Sequence, residues 1–306
     1  MAEANDEEIP YCVFVSSKVS KDKKNPLIIS LHGLGIGPNY MCQGKALDLA
    51  EEGGYILAAP MGYNTSGWYG SQGAGGGGGR GAPGGAGRGA GGGGRGAAPA
   101  APGNGFAAQS PQGAAPQGAG RGAPGAGAGR GGAGAGRGGA GAGRGGAGRG
   151  GGTGGGNNPP NLGELSEKDV LNVLAMMRKE FSIDENRTYL MGHSMGGAGT
   201  LFLGSKHARE WAAIAPIASA AFSMQNDRAK YLKDIKDAAL PVIFVHGDMD
   251  EVVSVSITRG WVETAKEMKM DFEYVEVPGA GHGPIIEAGM PDIFKYFGAH
   301  IKGAKK

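Results

Sequence analysis

Two kinds of apolar pattern alternate along the chain. The first is a short continuous run, found at residues 11–15, 27–32, 55–60, 188–191, 212–217, 242–246 and 272–277. Each has strand length, and most are apolar nearly throughout rather than at alternate positions, as expected of strands covered on both faces; 272–277, with Glu273 and Glu276, is the exception. The second pattern recurs every three to four residues, the period that lines up side chains on one face of a helix. It predicts helices over 40–52, 166–181, 194–206, 227–237, 256–270 and 286–301. Ser166-x-x-Asp169 reads as a helix start, and Gly53-Gly54 as a stop.

Strands that alternate with helices predict an α/β fold with a mostly parallel central sheet and helices on both faces. In such sheets the reactive groups gather just beyond the carboxyl ends of the strands. Both periods are lost between Ser71 and Asn157. That stretch is built from Gly, Ala and Arg, with an Arg-Gly-Gly-Ala-Gly-Ala-Gly unit from Arg130 repeated from Arg137 and begun again at Arg144. It has one aromatic residue, Phe106, and almost no branched apolar side chains. It buries too little surface to offset the entropy of ordering, so a long disordered insertion is expected. The expected division is therefore 1–70 as the first part of the folded domain, 71–157 as a low-complexity insertion, and 158–306 as the second part. A surface loop tolerates such length because closure entropy grows only logarithmically.

Charge follows the same division. The insertion holds eight arginines and neither lysine nor acid, so it carries +8; the whole chain carries +2, which leaves −6 on the body. The body is long enough for one sizeable core. The two cysteines, Cys12 and Cys42, form neither a disulfide framework nor a metal site; pairing is open only to an exported protein, and they read as separate thiols. No apolar run approaches the roughly 20 residues that span a bilayer. The acidic start from Met1 to Glu8 lacks a signal-peptide pattern. A soluble protein is expected, exported only if a leader was removed; compartment and oligomeric state stay open.

Gly192-His193-Ser194-Met195-Gly196 fits the G-x-S-x-G nucleophile elbow. A serine on a sharp turn between strand and helix has strained backbone geometry. Side chains two residues to either side would collide, so glycine takes both places. A strand precedes this match and a helix follows it, outside the glycine-rich stretch. The elbow predicts an acid and then a histidine further along the chain. Asp248, Asp250 and Glu251 compete for the acid, in His246-Gly247-Asp248-Met249-Asp250-Glu251-Val252-Val253. The G-x-x-D-x-x-V spacing favours Asp250, and Asp248 suits a role in shaping the turn. His282, in Gly279-Ala280-Gly281-His282-Gly283, follows the last strand on a glycine-flanked loop and is the expected general base. His32 and His246 end apolar strands and read as structural hydrogen-bonders. His193 is expected to point away from the far loop, and His207 and His300 to be solvated at helix ends. The loop His32-Gly33-Leu34-Gly35 offers an oxyanion amide at Leu34, with Gly35 the neighbouring candidate, and Met195 after the serine offers the second.

These motifs, with residues 183–197, the strand from Ala212 and the segments HGDMDEVV and GAGHG, resemble the bacterial esterase and peptidase-like branch of the α/β-hydrolases. That branch includes feruloyl esterases, polyhydroxybutyrate-depolymerase-like proteins and the catalytic domains of prolyl-oligopeptidase-type enzymes. The resemblance covers most of 11–64 and 162–301. It implies the α/β-hydrolase fold, a triad of Ser194, Asp250 and His282, and no cofactor or metal. The chain departs from the family at the insertion, which follows Gly67-Trp68-Tyr69-Gly70. Trp68 and Tyr69 either line the acyl or aryl pocket or merely anchor that loop.

The expected function is hydrolysis of small or aryl carboxylic esters through an acyl-enzyme, with a small-molecule ester as partner. Few residues separate the strand at 212–217 from the next one, so no lid domain is expected. Peptidase action is an alternative that rests on family likeness; the chain lacks room for a large gating domain. A third reading gives the Arg-Gly-Gly stretch a nucleic-acid or surface-binding role through phosphates. The aromatics that usually interleave such tracts are missing, so a flexible tether is preferred and nucleic acid is not the expected partner.

Overall fold

The computed structural model describes residues 8–71 and 158–303. Seven strands, β1 (Tyr11–Val15), β2 (Asn25–Leu31), β3 (Ile56–Pro60), β4 (Ile183–His193), β5 (Ala213–Ile217), β6 (Val242–Gly247) and β7 (Phe272–Val277), form one sheet in the order β1-β3-β2-β4-β5-β6-β7. β1 runs antiparallel to β3, and every other pair is parallel. Among the described residues six α-helices accompany them: α1 (Lys45–Gly53), α2 (Leu162–Glu180), α3 (Met195–Lys206), α4 (Arg228–Asp237), α5 (Val255–Glu267) and α6 (Ile285–Ala299). This is the α/β architecture that the alternating pattern predicts.

Successive strand residues point to opposite faces, so a continuous apolar run feeds two cores. On β2, Leu27, Ile29 and Leu31 pack with α2, α3, α4 and α5, whereas Ile28 packs with α1 and α6. On β6, Val242 and Phe244 join the first core, and Ile243 and Val245 the second. The central strands need side chains apolar on both faces for this reason; edge strand β1 is only half-buried. β2 lies between β3 and β4, so residues from both sides of the 71–157 stretch share one sheet. The Asn64 side-chain amide also donates to Asn158 Oδ1 at 3.0 Å. The disordered insertion expected at 71–157 lies outside the described residues, apart from Ser71.

Two local expectations change. The stretch at 40–52 is not one helix: a 3-10 turn, Pro38–Met41, precedes α1, and Gly44 between them has φ +57. α2 starts at Leu162, so Ser166 and Asp169 lie inside it rather than at its start. Three residues apart, they share a helix face and serve the loop after β3 instead. Ser166 Oγ accepts the Tyr69 N–H at 3.0 Å, and Asp169 Oδ2 accepts the Gly62 N–H at 2.8 Å. Cys12 and Cys42 are free thiols, as read from the sequence; burial, and then the neighbouring Cys12 thiol, push the Cys42 thiol well up. Among the described residues no helix is long and apolar enough to cross a membrane.

Candidate active site

β4 ends at His193 and α3 begins at Met195, leaving Ser194 alone at the junction. Its backbone has φ 57 and ψ −113, a conformation that costs a residue with a side chain of order 1–3 kcal/mol. Three hydrogen bonds hold it there. The Ser194 N–H donates to Ile217 O at 2.9 Å, and Ser194 O accepts from Ala198 N at 3.1 Å and Ala220 N at 2.9 Å. The flanking glycines are required by close approach: a Cβ on Gly192 would strike Gly196 O, and one on Gly196 would strike Leu31 O and stand 2.8 Å from His32 O. Ser194 is mostly buried, and its hydroxyl makes no hydrogen bond among the described residues. Hydrogen bonds of this kind often tighten only once substrate is present.

The loop after β6 and the loop after β7 meet beside this turn. Asp250 Oδ2 accepts a hydrogen bond from His282 Nδ1 at 2.7 Å, with the Asp250 side chain fully buried and that of His282 17% exposed. Asp250 Oδ1 accepts the backbone N–H groups of Val252 and Val253, both at 2.8 Å. Burial opposes the Asp250 charge, but the bonds from His282, Val253 and Val252 outweigh it and hold the carboxyl below its usual range. Asp248 instead accepts the Gly279 N–H at 2.6 Å and ties the two loops together.

His193 differs from expectation. It does not point away from the far loop: its Nε2 donates to His282 O at 2.8 Å, and the two rings stand 4.5 Å apart. The last residue of β4 projects to the face shared by Tyr40 and α6, and the loop carrying His282 folds over that face. His193 Nδ1 is buried with no partner among the described residues. Burial, and then the neighbouring His282, lower His193 from 6.5 to about 4, so its ring is neutral at neutral pH. His207 is likewise not simply solvated: Glu167 accepts from its Nε2 at 2.6 Å.

The loop after β2 lies against the serine, since a Cβ on Gly33 would stand 3.5 Å from Ser194 Cβ. The Gly35 N–H is committed to Thr65 O at 2.9 Å. The N–H groups of Leu34 and Met195 have no partner among the described residues. His32 anchors this loop from a fully buried position: its N–H donates to the Tyr69 hydroxyl at 3.1 Å, and its ring nitrogens lie 2.8 Å from Gly33 O and 2.9 Å from Met61 O. Tyr69 is itself fully buried and faces His32 and Gly199; Trp68 is half-buried.

Sequence reasoning did not single out the exposed apolar side chains on this rim. Leu34, Phe222, Met249 and Val252 are each more than half exposed and follow β2, β5 and β6. A cavity of about 120 Å³ opens beside Gly283, lined by Tyr40, Met41, Ala46, Ile286 and Met290 together with polar Glu287.

The arrangement can be set beside known proteins. Residues 165–301 match the model of the phospholipase/carboxylesterase family. A bifunctional acetylxylan esterase/xylanase of Neocallimastix patriciarum is 29% identical over 98 residues, covering 32% of this chain and 13% of that protein. The structure of a ferulic acid esterase from Anaeromyces mucronatus superposes with a TM-score of 0.52 at 16% identity, over 97% of this chain and 88% of that one. An S-formylglutathione hydrolase from Agrobacterium tumefaciens gives 0.55 at 12% identity, over 98% and 92%. A thermostable esterase gives 0.53 at 17% identity, and this chain spans 59% of its length. The chain has the α/β-hydrolase fold, and its residues 165–301 match the phospholipase/carboxylesterase family.

Proposed function

We propose that this protein is a serine carboxylesterase that hydrolyses small or aryl carboxylic esters through an acyl-enzyme on Ser194, Asp250 and His282. The observation that carries this reading is the hydrogen-bonded His282–Asp250 pair beside a serine held at positive φ at the head of a helix. His282 takes the Ser194 proton as Oγ attacks the ester carbonyl. The N–H groups of Leu34 and Met195 hold the oxyanion, each donor worth about 3 kcal/mol of barrier. His282 returns the proton to the departing alcohol. Water then enters, gives a proton to His282, and attacks the acyl carbonyl; the acid leaves as Ser194 regains its proton. Asp250 keeps the ring oriented and stabilises it while charged. No cofactor or metal takes part in these steps.

The exposed Leu34, Phe222, Met249 and Val252 support an open apolar site for aryl or short alkyl groups, and the half-buried Trp68 is the further candidate for its wall. We assign 1–70 and 158–306 to one hydrolase domain and 71–157 to an insertion within it, supported by the sheet shared between the two parts.

The test is hydrolysis of p-nitrophenyl acetate, butyrate and octanoate, beside dipeptide amides, by the native chain and Ser194→Ala. Ester turnover should fall by at least about 10⁴-fold in the variant. Ester turnover that survives the substitution would remove Ser194 as nucleophile, and amide turnover that exceeds ester turnover would favour a peptidase.

A further inference from the structure

The Asp250 carboxylate has a second imidazole against it. His246 ends β6, four residues before Asp250, and its side chain is fully buried. Its Nε2 lies 2.9 Å from Val253 O and 3.2 Å from Asp250 Oδ2, the same oxygen that accepts from His282. Its Nδ1 lies 2.7 Å from Thr258 Oγ1 on α5. Val253 O is only an acceptor, so Nε2 must carry the proton. In a neutral ring Nδ1 then has a lone pair, which the Thr258 hydroxyl fills by donating. Burial lowers His246, against the bonds from Val253 and Asp250, and so favours this neutral form. The charged and titratable groups facing the ring are Asp250, His282, His193 from β4, and Glu276, its register partner on β7.

We propose that His246 is a positioning residue of this site. Its Nε2–H, shared between Val253 O and Asp250 Oδ2 and set in place by Thr258, turns the carboxylate so that Oδ2 faces His282. Two backbone amides already fill Oδ1, so His246 and His282 complete the shell of the other oxygen. With both oxygens held, the carboxylate cannot rotate away from His282. A second donor on Oδ2 also draws charge from the bond to His282. The same contact therefore fixes geometry and restrains how strongly Asp250 stabilises the charged ring. This inference rests on the triad reading above.

The test compares His246→Gln, whose amide reaches the Nε2 position, with His246→Asn, whose amide reaches only the Nδ1 position. Thr258→Val leaves His246 in place without its hydroxyl partner. Each variant is first checked for folding by circular dichroism, and active sites are counted by the burst of p-nitrophenolate. Per active site, kcat of the Asn variant should fall about 10-fold or more with KM nearly unchanged, and the acid limb of its kcat/KM profile should move up by about half a pH unit. The Gln variant should stay within about threefold of the native chain. Thr258→Val should move the acid limb in the same direction. A purely structural role would lower the folded fraction while leaving kcat per active site and the acid limb unchanged, and that result in whichever variants fold would overturn the proposal.

The downfield imidazole N–H resonance of the His282–Asp250 bond gives a readout that needs no turnover. It should shift in the Asn variant and be kept in the Gln variant; an identical resonance in both overturns the proposal. Retained esterase activity in Ser194→Ala would instead refute the triad reading, while the resonance would still judge the contact between His246 and Asp250.

Discussion

Acid should destabilise this fold through His193, and the amount follows from its surroundings. The ring is 3% exposed, donates from Nε2 to His282 O, and has no partner for Nδ1 among the described residues. A second proton would have to sit on that buried, unpartnered nitrogen beside His282. The folded value of about 4 therefore lies below the 6.5 of an unfolded chain. A histidine lowered in this way binds its proton first in the unfolded state. Its contribution is fully favourable to folding above 6.5 and is lost as pH falls from there towards 4. The loss amounts to about 2 kcal/mol at about pH 5 and approaches about 3 kcal/mol near pH 4. His32 and His246 are also lowered by burial and add to the total, so a variant is needed to isolate the share of His193. His193→Gln keeps an amide donor for His282 O and removes the titration. Urea unfolding at about pH 7.5 and about pH 5 should show the native chain losing about 2 kcal/mol more than this variant over the same interval. Equal losses would refute the reasoning, because they would mean that the folded protein protonates His193 as readily as the unfolded chain does.

Two further predictions address the frame around the serine. Gly196→Ala should leave little folded protein, since its Cβ meets the backbone of Leu31 and His32 rather than a movable side chain; a soluble variant with native circular dichroism would contradict the close packing of β2 on α3. Tyr69→Phe removes the acceptor of the buried His32 N–H and should cost about 1–3 kcal/mol in urea unfolding, with KM for aryl esters nearly unchanged. Trp68→Ala should instead raise KM for aryl esters, and unchanged kinetics across several esters would remove Trp68 from the pocket.

Much of this protein is legible without coordinates because the governing signals are local. A central parallel strand must be apolar on both faces, so residues 27–32, 212–217 and 242–246 announce themselves as continuous runs. The elbow is equally local, since glycine is required where β2 and α3 pack without room for a Cβ. The spacing of Asp250 after its strand and the glycine-flanked His282 then follow in chain order. Other features depend on contacts between distant segments, to which periodicity is blind. Ser166 and Asp169 have the residue types of a helix start, but tertiary packing turns them towards the loop that carries Gly62 and Tyr69. That the Gly35 amide is already committed to Thr65 O, on another loop, is likewise visible only in the fold. The face on which His193 emerges matters only because the loop bearing His282 closes over that face. The four-residue spacing of His246 and Asp250 does not announce their tie, since residues four apart are neighbours on a helix and not in a loop. Only the fold adds Thr258 from a helix and Val253 from a loop, which together decide the nitrogen that carries the proton. The sequence by itself determined which side chains could do chemistry; the tertiary structure decided which of them touch, because hydrogen bonds between loops depend on how the sheet brings the strand ends together.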